Sequence, residues 1–105
     1  VAQWDVYANP VARAREEIPY LVMLQSDLLS ALPTRLMAPL SRSTVSLLGL
    51  PLRLAPRFEV AGEVLVLKPH ESGILFTRAL GTPVASLRAQ SQLLVDALDA
   101  VVSGV

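Results

Sequence analysis

The single histidine, His70, stands in Lys68-Pro69-His70-Glu71-Ser72, where proton transfer or metal binding would first be sought. One imidazole beside one carboxylate falls short of the three or four ligands that zinc needs at set spacings. The tract reads as an exposed polar connection. Glu16 and Glu17 invite an acid–base pairing, but neighbours in an extended segment point to opposite sides. Arg13, Arg15, Arg35, Arg42, Arg53 and Arg57 have the chemistry to line an RNA groove and stabilise a phosphoryl transition state. They are scattered among acids, aromatics for base stacking make up only 5% of the chain, and no general base stands at a matched position. Gly62 and Gly81 are isolated turn glycines rather than a phosphate loop, and no Gly-x-Ser-x-Gly elbow is present. The absence of cysteine removes disulfides and thiolate metal sites. These residues predict a protein that binds rather than catalyses, with no cofactor and no metal.

Eight prolines, at 10, 19, 33, 39, 51, 56, 69 and 83, confine the first four fifths of the chain to short strands and turns. Trp4-Asp5-Val6-Tyr7 is predicted as a first strand, closed by Asn9-Pro10, and Val11 to Ile18 as a polar loop. Tyr20 to Leu24 is a strand buried on both faces, broken by Gln25-Ser26-Asp27. Arg35 to Leu40 is a third strand, which Pro39 assigns to an edge or a bulge. Arg57 to Val60 and Glu63 to Leu67 flank Ala61-Gly62 as a hairpin. Beyond the polar connection 68–73, Ile74 to Leu80 is another strand, ended by Gly81. Leu87, Leu94, Leu98 and Val101 then repeat at helical spacing, with Leu93 and Ala97 widening the stripe and Arg88, Gln92, Asp96 and Asp99 mostly opposite. Thr82-Pro83 or Ser86 is placed to begin this helix. Asp96 and Asp99 fall near its C-terminal end, where the helix dipole disfavours carboxylates. They are either a solvated face or residues retained for another task. Strands first and a helix last imply a mainly β (α+β) fold in one domain over 1–105: a small antiparallel barrel-like sheet with a C-terminal α-helix packed across it.

Nine Lys plus Arg balance nine Asp plus Glu, so charge gives no reason to expect direct nucleic-acid binding. A mean hydropathy of +0.50 means more apolar area than one small domain can hide, which favours a protein partner and most simply a second copy of the chain. No run of about 18 apolar residues suggests a membrane span. The segment Val1-Ala2-Gln3-Trp4-Asp5 has neither the basic flank nor the apolar core of an export signal, so a cytoplasmic location is expected.

Four stretches taken in order carry a family resemblance. They are Asp5-Val6-Tyr7 with arginines following Asn9-Pro10; Tyr20 to Leu29, containing Gln25-Ser26-Asp27-Leu28-Leu29; Arg35 to Leu40; and 61–105, with Leu80-Gly81, Val84-Ala85, Leu87, the helix and a terminal Gly-aliphatic pair. In order and spacing they resemble the CcdB family of bacterial toxins. The resemblance implies a five-to-seven-stranded SH3-like barrel that forms a homodimer. It implies docking on the DNA gyrase A subunit, trapping of gyrase with cleaved DNA, and no chemistry of the toxin's own. It also implies neutralisation by a CcdA-like antitoxin with a disordered C-terminal tail, and contact with DNA only through the antitoxin complex.

Position by position, Asp99, Val102, Ser103, Gly104 and Val105 match the family's target-binding helix end. Leu28 and Leu29 match an aliphatic pair near the target; they are equally candidates for the core. Ser103 departs from the family pattern, which has tryptophan there, and Asp99 and Val102 replace a neutral amide and an aromatic. Two other functions stay open: a MazF- or Kid-type endoribonuclease relying on an arginine such as Arg13 or Arg35, and a non-toxic relative that only binds antitoxin.

Overall fold

Side chains alternate across the strands, and that alternation sorts them into two cores. The computed structural model describes residues 2–43, 49, 51 and 54–104. In β1 (Asp5–Ala8), Val6 joins the main core while Tyr7 joins a smaller cluster on the other side of the sheet. In β2 (Tyr20–Met23), Val22 and Met23 divide in the same way. β2 is thus covered on both faces, as its unalternating sequence implies. The strands that follow are β3 (Thr34–Ser41), β4 (Arg57–Val60), β5 (Glu63–Leu67), β6 (Gly73–Phe76) and β7 (Ala85–Ser86). They form one seven-stranded antiparallel sheet, ordered β4-β5-β3-β2-β1-β7 with β6 also on β3, which curls into a nearly closed barrel. One helix, α1 (Ser91–Ser103), follows at the C-terminal end. The main core is filled by Val6, Val22, Leu40, Phe58, Leu65 and Leu67 from the strands and by Leu94 and Ala97 from α1.

β3 is the hub of the sheet rather than an edge. β2 runs along one side, with Leu21 opposite Pro39; β6 and then β5 share the other side. The Pro39 carbonyl accepts from the Lys68 amide at 3.1 Å, on the side where β5 has ended and β6 has not begun. Amide and carbonyl of one strand residue point the same way, so the donor that proline lacks would have fallen in that gap. A central strand therefore tolerates proline here without losing a ladder bond.

β2 ends one residue early at Met23, β3 gains Thr34 and Ser41, and β6 begins at Gly73; larger differences from the sequence-based expectation lie at β1, the end of β6 and the helix start. β1 starts at Asp5, because Trp4 takes a left-handed φ of 73°. Its amide donates to Met23 O at 2.8 Å, its carbonyl accepts from Leu87 N at 2.9 Å, and its side chain is buried in the main core. That surrounding structure holds a conformation uncommon for a bulky residue. β6 stops at Phe76, where a 3₁₀ turn, Thr77–Ala79, takes over. There the Thr77 amide and hydroxyl both donate to Pro33 O, at 2.9 and 3.2 Å.

Neither Thr82-Pro83 nor Ser86 begins the helix, because the segment is drawn onto the β1 edge instead. Val84 N donates to Val6 O at 2.8 Å, β7 pairs with β1, and Ser86 Oγ accepts from Arg88 N at 3.2 Å ahead of a 3₁₀ turn, Arg88–Gln90. In α1 the buried stripe is Leu94, Ala97 and Ala100 with Leu98 half-buried; Leu93 and Val101, expected inside, are exposed.

The 57–67 hairpin forms with the predicted bounds. Ala61 and Gly62 both take positive φ, 53° and 80°, which makes the turn type I′. Gly62 adopts this freely, whereas Ala61 carries a Cβ penalty of about 1 kcal/mol. Replacing Ala61 with Asn should therefore stabilise the fold by up to about 1 kcal/mol and raise the melting temperature by several degrees, as thermal denaturation followed by circular dichroism would show. Just past the end of β3, Arg42 forms an exposed ion pair with Glu63 at the start of β5, and its Nη1 also donates to Arg15 O at 3.1 Å. The Arg42 hydrogen bond holds the Glu63 carboxyl below its ordinary range, and Glu63 in turn raises Arg42.

Candidate functional site

The last turns of α1 carry Asp99, Val102, Ser103 and Gly104, all exposed; Val105 lies outside the described residues. Val102 is 84% exposed, so it does not complete the buried stripe. Ser103 Oγ donates back to Asp99 O at 2.6 Å, and Gly104 closes the helix in the left-handed region at φ 72° with its amide on Ala100 O. A glycine suits that position because it has no Cβ to clash. The last turn holds no basic residue. Gln92 Nε2 donates to Asp96 Oδ1 at 2.8 Å, and Asp99 is exposed one turn further on. The helix end is thus a negative tip with an apolar side chain beside it.

Leu28 and Leu29 belong to a 3₁₀ turn, Asp27–Leu29, and are 94% and 49% exposed. They are surface residues, not core. Within one chain the structure does not assemble all the predicted site residues. Leu94 and Ala97 seat α1 on the main core, and the elements whose backbones come nearest to α1 are the 69–71 and 88–90 turns, with the 27–29 turn not among them.

The 25–34 segment is fastened at several points. Leu24 N donates to Leu36 O at 2.9 Å. Gln25 then bridges to β3, donating to Thr34 O at 3.0 Å and accepting from Leu36 N at 3.1 Å. Asp27 Oδ1 accepts from Gln3 N at 2.9 Å, and Ser26 Oγ accepts from Leu28 N at 3.2 Å. Arg35 points back beneath the loop. It is buried, donates to Ser30 O and Thr34 O at 2.8 Å each and also to Leu32 O, and makes no ion pair among the described residues. A guanidinium satisfied this way is structural, which removes Arg35 from the phosphate-binding candidates. Arg13 is exposed, and Arg53 lies outside the described residues.

Sequence reasoning missed both this role of Arg35 and the exposure of Leu32, at 48%. The available signal was Leu32-Pro33, since a leucine held just before a proline, between the Gln25-Ser26-Asp27 break and the next strand, has no strand of its own to bury it.

An open apolar cleft of about 220 Å³ lies on the outer side of the sheet, lined by Val11, Ile18, Leu21, Met37, Ile74 and Leu75 among others. Asn9 and Glu71 are its polar members, and the Asn9 side chain is already bonded to Ile18 O and Val11 N. His70 Nε2 lies 3.4 Å from Glu71 Oε2 in the 69–71 turn. Among the described residues, no three His, Cys, Asp or Glu side chains group to hold a metal ion, and no helix is long and apolar enough to cross a membrane. These surfaces offer apolar contact and negative charge, both of which serve protein recognition.

No curated protein matches the sequence. The family profile described as CcdB protein matches residues 3–104. That match takes in the barrel, the loop of exposed leucines and the helix end together, and the chain accordingly belongs to the CcdB family, the toxin partner of toxin–antitoxin modules.

Proposed function

We propose that the protein, as a cytoplasmic homodimer, binds the DNA gyrase A subunit and traps gyrase with cleaved DNA, and that a CcdA-like antitoxin neutralises it by laying a disordered tail over the same surface. The observation that carries this reading is the exposure of Val102 and Leu28, 84% and 94%, at positions the family resemblance assigns to the target. Single exposed aliphatics are ordinary on any protein. These two stand on a capped helix end and a fastened loop, where burial by a partner would require little reordering. No reaction is needed: a ligand that prefers one state of its target shifts the population toward that state.

A second copy would cover a different patch. Leu36 and Ile74 are opposite one another on β3 and β6, 36% and 68% exposed, and Phe76 on the same face is 50% exposed with the Arg78 guanidinium 4.6 Å from its ring centre. Three apolar side chains on one strand pair match what a homodimer interface buries.

The test combines induced expression with a cleavage assay. Growth should stop unless the antitoxin is co-expressed, and purified protein should accumulate cleaved DNA with gyrase from the native host. Normal supercoiling without cleavage would dismiss the proposal.

Ser103 gives one specific reason to weigh a non-toxic, antitoxin-binding relative, since a short hydroxyl replaces the family's aromatic anchor. Hot-spot aromatics are worth about 2 kcal/mol or more. Ser103→Trp should therefore tighten gyrase A binding by about tenfold or more and strengthen growth arrest. Unchanged affinity in a direct titration would show that the helix end docks without an aromatic.

A further inference from the structure

We propose that Arg35 is the positioning residue of the target-binding loop, its guanidinium holding residues 28–32 as a preformed apolar prong. The inference rests on the gyrase reading above and adds to it a second prong and the residue that sets its shape. Leu28, Leu29 and Leu32 are 94%, 49% and 48% exposed within five residues of chain. A loop free to move would turn such side chains inward. This one cannot, because Arg35 draws the carbonyls of Ser30, Leu32 and Thr34 toward one buried point.

The dependence runs both ways. A buried cation with no acidic partner is tolerable only when polar atoms surround it, and here those atoms are the loop's own carbonyls. The rigid planar fork of arginine can serve three carbonyls at once, which a lysine ammonium on a flexible stem does not reproduce. Gln25 and Asp27 secure the entry of the loop and Arg35 its return. The three leucines reach a partner already arranged, so binding spends little on ordering them.

The experiment compares the wild type with Arg35→Met, which keeps the volume and removes the donors, and with Arg35→Lys. Amide hydrogen exchange is read first. In Arg35→Met the amides of Leu29, Ser30 and Leu32 should exchange at least about tenfold faster, while those of Val22 and Leu40 keep their protection. Affinity for the purified gyrase A subunit, per folded molecule, should fall by about tenfold or more, with Arg35→Lys between the two. Leu28→Ala should weaken binding in the wild type and add little in Arg35→Met, a coupling that a purely fold-stabilising arginine would not produce.

Equal exchange in the loop would overturn the inference whatever the partner. Faster exchange with unchanged affinity, or fully additive Leu28 and Arg35 effects, would sever the arginine from docking. No gyrase A binding by the wild type would remove the functional reading alone, and the exchange comparison would still decide the loop.

Discussion

Val102→Lys is expected to abolish growth arrest and to weaken gyrase A binding by roughly 30-fold or more, the equivalent of about 2 kcal/mol, while the protein remains folded. The side chain is 84% exposed, so its replacement disturbs no packing. Lysine in the last turn of a helix also complements the dipole, and surface substitutions of this kind stay within about 0.5 kcal/mol. If Val102 is pressed against a partner, the same change buries an unpaired ammonium and expels an apolar contact, and both penalties fall on the complex alone. Calorimetric titration against gyrase A, with thermal denaturation of the free protein in parallel, separates the two quantities. Undiminished affinity at unchanged stability would show that the helix end is not where the target sits.

The opposite result is expected two turns earlier. Leu94→Ala should destabilise the fold by about 2–5 kcal/mol, because Leu94 is fully buried where α1 crosses the main core. At about 4–8 °C per kcal/mol for a domain of this size, the melting temperature should drop by at least about 8 °C. Leu93→Ala, at a half-exposed neighbour, should move it by no more than a few degrees. Any loss of toxicity in Leu94→Ala would then track the fraction of folded protein, whereas in Val102→Lys it would not. A melting temperature unaffected by Leu94→Ala would contradict the packing of α1 onto the barrel.

Much of the architecture was legible in the residues. The 57–67 hairpin could be read to the residue because a small turn with Gly62 separates two strand-like runs. The C-terminal helix could be read because only that stretch combines helical spacing with freedom from proline. What escaped were effects of distant partners. Pro39 argued for an edge, and only the change of neighbour from β6 to β5 makes it harmless in the centre of the sheet. Thr82, Pro83 and Ser86 have the chemistry of a helix start, but the β1 edge claims that segment first. At the candidate site, Leu28 and Leu29 could not be told from core residues by type. Their exposure depends on a clasp from Arg35, six positions away, whose charge suggested phosphate binding instead.

The left-handed Trp4, sealed between β2 and the chain leading into α1, has a practical consequence. It is the sole tryptophan and is 7% exposed, so the intrinsic emission of this protein reports the integrity of the barrel and little else. Unfolding should shift that emission to the red. Engagement of the helix tip or the leucine loop should leave it dark to the event, and a spectral change on mixing would belong to the partner's own indoles.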